Sequence, residues 1–177
     1  MNKAMYKIMN KIRNITAMIL SLIIACGCAS SDKSPRIQDV KGVHKVSADK
    51  IWLTHEHTLV DFIGADSIQP DSWNHDSVIN KVKPYFDELK AFDVSYFVDA
   101  TPNYLGRDVL LLEKIANKTG ISIITNTGLY GARNNKYIPQ YAHEMTAKAL
   151  AETWINECEN GIDGTSIKPG FIKMGWI

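Results

Sequence analysis

Leu53-Thr54-His55-Glu56-His57 closes a short apolar run, Ile51-Trp52, and opens onto a polar stretch. Read as a strand over 51–57, side chains two apart share a face, so His55 and His57 point the same way. Two imidazoles at the end of a strand can hold one divalent ion, zinc being the usual match. The same spacing also suits two ordinary histidines, and the pair alone does not choose between them.

The flanking pattern places this strand first in a series. Residues 37–49 alternate loosely around Gly42 and predict a hairpin or lid ahead of it. A polar loop over 64–76 follows. Asp76 is the expected N-cap of a helix over 77–92, whose apolar residues Val78, Val82, Tyr85, Phe86, Leu89 and Phe92 recur at three and four. Pro84 should kink that helix. A second strand is predicted over 94–101. A helix over 106–119 then buries Leu111, Leu112, Ile115 and Ala116 and stops at Gly120. A third strand runs over 121–127, with a loop from Gly128 to Gly131. A third helix over 143–159 should turn Met145, Leu150, Trp154 and Cys158 inward and end at Gly161, and a fourth strand begins over 166–173. Strands and helices in strict alternation predict an α/β fold with a parallel sheet and right-handed crossovers. A doubly wound sheet and half of a (β/α)8 barrel both satisfy this order. No Gly-x-Gly-x-x-Gly follows any strand, which counts against a dinucleotide fold.

The 177 residues, 45% of them hydrophobic, suffice for one domain core, and a net charge of +1 argues against nucleic acid as a partner. The N-terminus reads differently. Lys3, Lys7, Lys11 and Arg13 precede an apolar run over 15–25 that is shorter than the ~20 residues of a membrane span. This is the pattern of a secretory signal peptide. Its end, Ile23-Ile24-Ala25-Cys26, resembles a bacterial lipobox. That resemblance implies cleavage before Cys26, lipid on Cys26, and a chain tethered to a membrane of the cell envelope outside the cytoplasm. Plain secretion and an uncleaved anchor are the alternatives. The expected organisation is therefore a signal peptide over 1–25, a tether over 26–36 and one domain over 37–177. Three cysteines are too few for a disulfide framework. A Cys28–Cys158 bridge is open, and Cys158 is read as a buried apolar residue.

A barrel carries its reactive residues at the C-terminal ends of its strands. His55 and His57, Asp99, Tyr130 and Lys173 all stand at or just past such ends. Four stretches then resemble the phosphotriesterase family of the amidohydrolase superfamily, in matching order and spacing. They are Leu53-Thr54-His55-Glu56-His57, Gly106-Arg107-Asp108-Val109, Thr127-Gly128-Leu129-Tyr130 and Gly170-Phe171-Ile172-Lys173.

The resemblance implies the N-terminal half of a (β/α)8 TIM barrel, with two divalent metals, usually zinc, at the strand ends. It implies that His55 and His57 bind the more buried metal, and that Lys173 reacts with carbon dioxide to form a carbamate bridging both. An ammonium cannot ligate a cation, whereas a carbamate is an anion with two oxygens, and burial favours the free amine that forms it. Apart from the resemblance, Lys173 reads as a solvated charge. Tyr130 lines the substrate pocket or is an ordinary loop aromatic. Asp99 orients a ligand from behind or caps its strand. His44, His75 and His143 match no ligand position and are expected at the surface. The implied activity is hydrolysis of a small ester-type substrate (a phosphotriester, lactone or other ester) by a metal-bridging hydroxide, in a family often homodimeric. The family's other ligands, two histidines and an aspartate on strands five, six and eight, find no counterpart in these residues. The expectation is thus half of a hydrolase, inactive alone. A non-catalytic lipoprotein fragment with a residual metal site, or one half of a split barrel, are the alternatives. Residues 36–177 by themselves should fold poorly or pair through bare strand edges.

Overall fold

The computed structural model describes residues 34–69 and 72–175, together with Lys11. The chain divides into two units, Met1–Ser34 and Pro35–Ile177. The expected signal peptide, apart from Lys11, and Cys26 and Cys28 lie outside the described residues.

Strands β1 (Arg36–Asp39) and β2 (Gly42–Lys45) form the expected antiparallel hairpin, turning at Gly42 with φ of 126°. The hairpin is tied to the barrel sheet by Val40, which is buried and donates its N–H to the Ile123 carbonyl at 2.9 Å. Asp39, buried beside it, accepts from the Lys41 N–H, pairs with His44 Nε2 at 2.8 Å and accepts from the Ser122 hydroxyl.

Strand β3 (Ile51–Glu56) is followed by α1 (His75–Ala91), β4 (Val94–Asp99), α2 (Val109–Thr119) and β5 (Ser122–Ile124). The three strands make one parallel sheet in the order β3-β4-β5. Strand β6 (Asn126–Thr127) continues the third barrel strand past Thr125 and pairs in parallel with β7 (Phe171–Ile172). Gly170 N–H to the Thr125 carbonyl, 2.8 Å, and Lys173 N–H to the Thr127 carbonyl, 2.7 Å, extend that pairing at both ends. The result is four parallel barrel strands with intervening helices. The core lies between the sheet and α1 and α2, where Phe97 and Ile123 meet Ile79, Phe86, Leu111, Leu112 and Ile115.

Several boundaries move for local reasons. The N-cap of α1 is Asn74, whose side chain accepts from the Ser77 N–H at 2.9 Å, and Asp76 falls in the first turn, where its charge suits the helix dipole. The helix runs on through Pro84, which is exposed and displaces no core packing. Its buried stripe is Ile79 and Phe86, with Val78, Val82 and Leu89 against it. Tyr85 and Phe92, expected inside, are 65% and 66% exposed. Helix α2 starts later than predicted because Asp108 caps it, accepting from the Leu111 N–H. Its inner face and its stop at left-handed Gly120 are as predicted.

The third predicted helix is two: α3 (Gln140–Glu144) and α4 (Ala147–Asn160), separated where Thr146 caps the second by accepting from the Ala149 N–H. No residue of α4 is buried, and Cys158, expected inside, is exposed. The fourth strand is shorter than predicted. Residues 162–167 form a turn closed by Ile162 N–H to the Ile167 carbonyl at 2.9 Å. Of the three histidines expected at the surface, only His143 is simply exposed. His44 is held by Asp39, and His75 bridges Asp108 Oδ2 at 2.7 Å and Lys114 Nζ at 2.9 Å.

Candidate active site

At the C-terminal ends of the strands lies a cleft of about 170 Å³ lined by His55, His57, Tyr130 and Lys173, with apolar walls from Leu105, Ala100 and neighbouring residues. Three strands therefore bring to one place the side chains singled out on β3, after β6 and after β7. The two histidine rings meet edge to face with centroids 5.4 Å apart.

The histidines reach this cleft through an irregularity. Leu53 pairs with Phe97 and packs against the helix-side core, so strict alternation would carry His55 and His57 to that side too. The register shifts between Leu53 and Glu56, where Glu56 pairs with Asp99. The extra residue on β3 is a bulge that re-aims the strand end into the cleft.

Asp99 stands behind the cleft, fully buried. One carboxylate oxygen accepts from the Thr58 N–H and the other from the Thr101 N–H, both at 2.9 Å. Asn126, also buried, donates from Nδ2 to the carbonyls of Asp99 and Thr101 at 3.0 and 2.9 Å. So held, the Thr101 hydroxyl lies 2.9 Å from His57 Nδ1. Thr101 and Asn126 are the site residues that sequence reasoning missed. A hydroxyl two residues beyond a strand-end aspartate was the only signal for Thr101, and nothing local marked Asn126.

With Nδ1 engaged by Thr101, His57 has Nε2 left to bind an ion; among the described residues it takes no hydrogen bond. Partial burial holds the His57 pKa below the usual imidazole range, opposed by the Asp99 charge and reinforced by His55 and Lys173. The neutral ring, the form that ligates metal, is favoured. Among the described residues no three His, Cys, Asp or Glu side chains cluster closely enough to hold an ion. The nitrogen donors that line the cleft are two imidazoles and the Lys173 amine. A cationic ammonium would not ligate an ion, so these residues fit a divalent metal only if the lysine is carried as an anion or a free amine.

Lys173 depends on Gly128. That residue has φ of +112°, and a Cβ built on it would sit 2.1 Å from the Lys173 carbonyl oxygen. Only glycine lets the loop after β6 lie so close to the lysine backbone. Gly128→Ala should lower stability by roughly 2 kcal/mol or more, combining the left-handed penalty with the clash. Urea unfolding measures it, and a change below about 0.5 kcal/mol would mean that the backbone yields without cost. Tyr130 is half-buried, bridges to Gly175 and to Tyr137, and presents its ring to the cleft.

Parallel strands with their polar side chains gathered at the C-terminal ends define one side of a TIM barrel with its site in the usual position. The model of the phosphotriesterase family matches residues 35–176, and the chain belongs to that family. Aryldialkylphosphatase of Saccharolobus solfataricus is 32% identical over 126 residues, covering 69% of this chain and 38% of its own. N-acetyltaurine hydrolase of Dictyostelium discoideum is 33% identical over 135 residues, covering 75% and 34%. The organophosphorus hydrolase from Deinococcus radiodurans superposes with a TM-score of 0.67 at 27% identity, over 83% of this chain and 45% of that one. These relatives are hydrolases, and the chain spans less than half the length of each.

Proposed function

We propose that these residues form the first half of a zinc-dependent hydrolase site acting on small esters, phosphotriesters or lactones among them. The observation that carries the reading is the convergence of His55, His57 and Lys173 on one cleft, with His57 held by Thr101 through Nδ1. His55, His57 and Lys173, the last as a carbamate, would be this chain's ligands to the divalent ions. When bound, such ions supply a nucleophilic water at neutral pH and polarise the bond it attacks.

The chain's own part is positional. With a metal on Nε2, His57 Nδ1 would carry the proton and donate it to the Thr101 hydroxyl 2.9 Å away, which would fix that tautomer. Asp99 and Asn126 lock Thr101 in turn, and the buried Ala100 and Leu105 limit water on one wall. Tyr130 faces the substrate side. The family's remaining ligands are not among these residues, so the 177 residues alone should bind zinc weakly and turn over no ester. The Cys26 pattern supports placement on a membrane of the cell envelope through a lipid anchor.

Zinc titration of the full chain by calorimetry tests this. Wild type should bind, and His55→Ala and His57→Ala should each abolish measurable binding. Thr101→Val should weaken it about tenfold or more, as loss of a partner behind a ligand does. Equal binding by the double alanine variant would show that the pair is not the site.

A further inference from the structure

Beside the cleft opens a second cavity of about 450 Å³, sharing Phe62 and Tyr130 with it and otherwise lined by Ala132, Arg133, Asn134 and Tyr137. Its walls are aromatic. The Tyr137 ring lies 5.9 Å from that of Tyr130 and 6.0 Å from that of Phe62. Among the described residues no carboxylate lines it. Arg133 makes no ion pair among the described residues, whereas the neighbouring Lys136 amine is committed to the Phe62 carbonyl at 2.7 Å.

The backbone here is unusual. Arg133, Asn134 and Asn135 are consecutive residues in the left-handed region, with φ of 56°, 55° and 61°. Asparagine tolerates that conformation and arginine does not favour it. Such outliers persist where the surroundings over-determine them, and they cluster at ligand sites. The turn is held by Asn135 N–H to the Gly131 carbonyl and by Lys136 N–H to the Arg133 carbonyl, both 3.3 Å. It places Arg133, which has no ion-pair partner among the described residues, and Asn134 in the lining of an aromatic cavity.

We propose that this cavity is an oxyanion subsite. Arg133, with the Asn134 amide, binds a carboxylate, sulfonate or phosphonate carried by the substrate at the end remote from the bond that is cleaved, and the Phe62, Tyr130 and Tyr137 rings pack on the apolar part between. A planar guanidinium suits a two-oxygen anion. The assignment of the anion to a substrate rests on the hydrolytic reading of the adjoining cleft.

The test uses the full chain stripped of metal by a chelator, so that no ion in the cleft can capture the probe. Benzoate and its uncharged isostere benzamide are titrated in turn and followed by calorimetry. Benzoate should bind at least tenfold more tightly than benzamide, and rising salt should weaken benzoate alone. Arg133→Asn removes the charge while keeping a residue that accepts the left-handed backbone. It should bring benzoate to the benzamide level and leave benzamide unchanged, with circular dichroism as for wild type. His55→Ala should leave benzoate binding intact. Benzoate binding no tighter than benzamide in wild type, absent binding included, overturns the proposal. So does benzoate binding that survives Arg133→Asn. Loss of the zinc result with the benzoate result retained would instead overturn only the metal reading.

Discussion

Residues 36–177 expressed alone should migrate as dimers or larger species, and increasingly so with concentration. Among the described residues β3 has one neighbour in its sheet, β4, and β7 has one, β6. Each therefore leaves a row of unpaired N–H and C=O groups, the usual template for another chain. Apolar side chains accompany these edges: Ile51 is 49% exposed, Ile172 56% and Met174 48%. Apolar area in water costs roughly 25 cal/mol per Å². A few hundred Å² thus weighs heavily against a domain's net stability of ~5–15 kcal/mol. Light scattering across a concentration series, with thermal unfolding, measures the outcome. A concentration-independent monomer with one sharp transition would refute the prediction and show that the half barrel covers its edges by itself.

Arg107→Ala should destabilise the same species by about 3–5 kcal/mol, the usual consequence of breaking a buried ion pair on one side. The Arg107 side chain is 1% exposed, and its fork meets both Glu157 oxygens at 3.0 and 2.9 Å. It also donates to the Asn126 carbonyl at 3.0 Å, with Asp163 at 3.4 Å. Truncation would leave a nearly buried Glu157 charge and remove a donor from the carbonyl of Asn126, the residue that locks Thr101. Helix α4, which carries Glu157, has no buried residue of its own to hold it, so its amides should lose exchange protection first. Lysine should not substitute, since a point charge cannot reproduce the fork. Restoring the balance with Glu157→Leu in an Arg107→Met background should recover most of the loss. Urea unfolding at matched protein concentration reads the effect, and a shift under about 1 kcal/mol would show the pair to be solvated in practice.

The local grammar of this chain was legible. The inner face of α2, its Gly120 stop, the Gly161 stop of α4 and the strand-helix alternation follow from periods of two and 3.6 and from caps, all of which act within a few residues. The convergence of His55, His57, Tyr130 and Lys173 was anticipated because parallel strands put their ends at one mouth.

Elsewhere the local pattern holds and its surroundings depart from it. The period of α4 marks which residues share a stripe but not whether anything covers it, and Cys158 is exposed. Asn74 displaced Asp76 as a cap because two residues with cap chemistry stood close together and loop geometry chose between them. The orientation of the histidine pair agreed with simple alternation for a reason that alternation does not contain. The bulge between Leu53 and Glu56 turns the strand end away from the side that Leu53 serves.

The sequence by itself determined the elements, their order and the residue types at the strand ends, because those depend on neighbours a turn or a strand-length away. Only the tertiary structure decided that Thr101 would hold His57 from 44 residues away, that Arg107 would clasp Glu157 across 50, and that Arg133 would sit left-handed beside the cleft. Those depend on which backbones pack against each other, and packing of distant segments leaves no periodic trace in the chain.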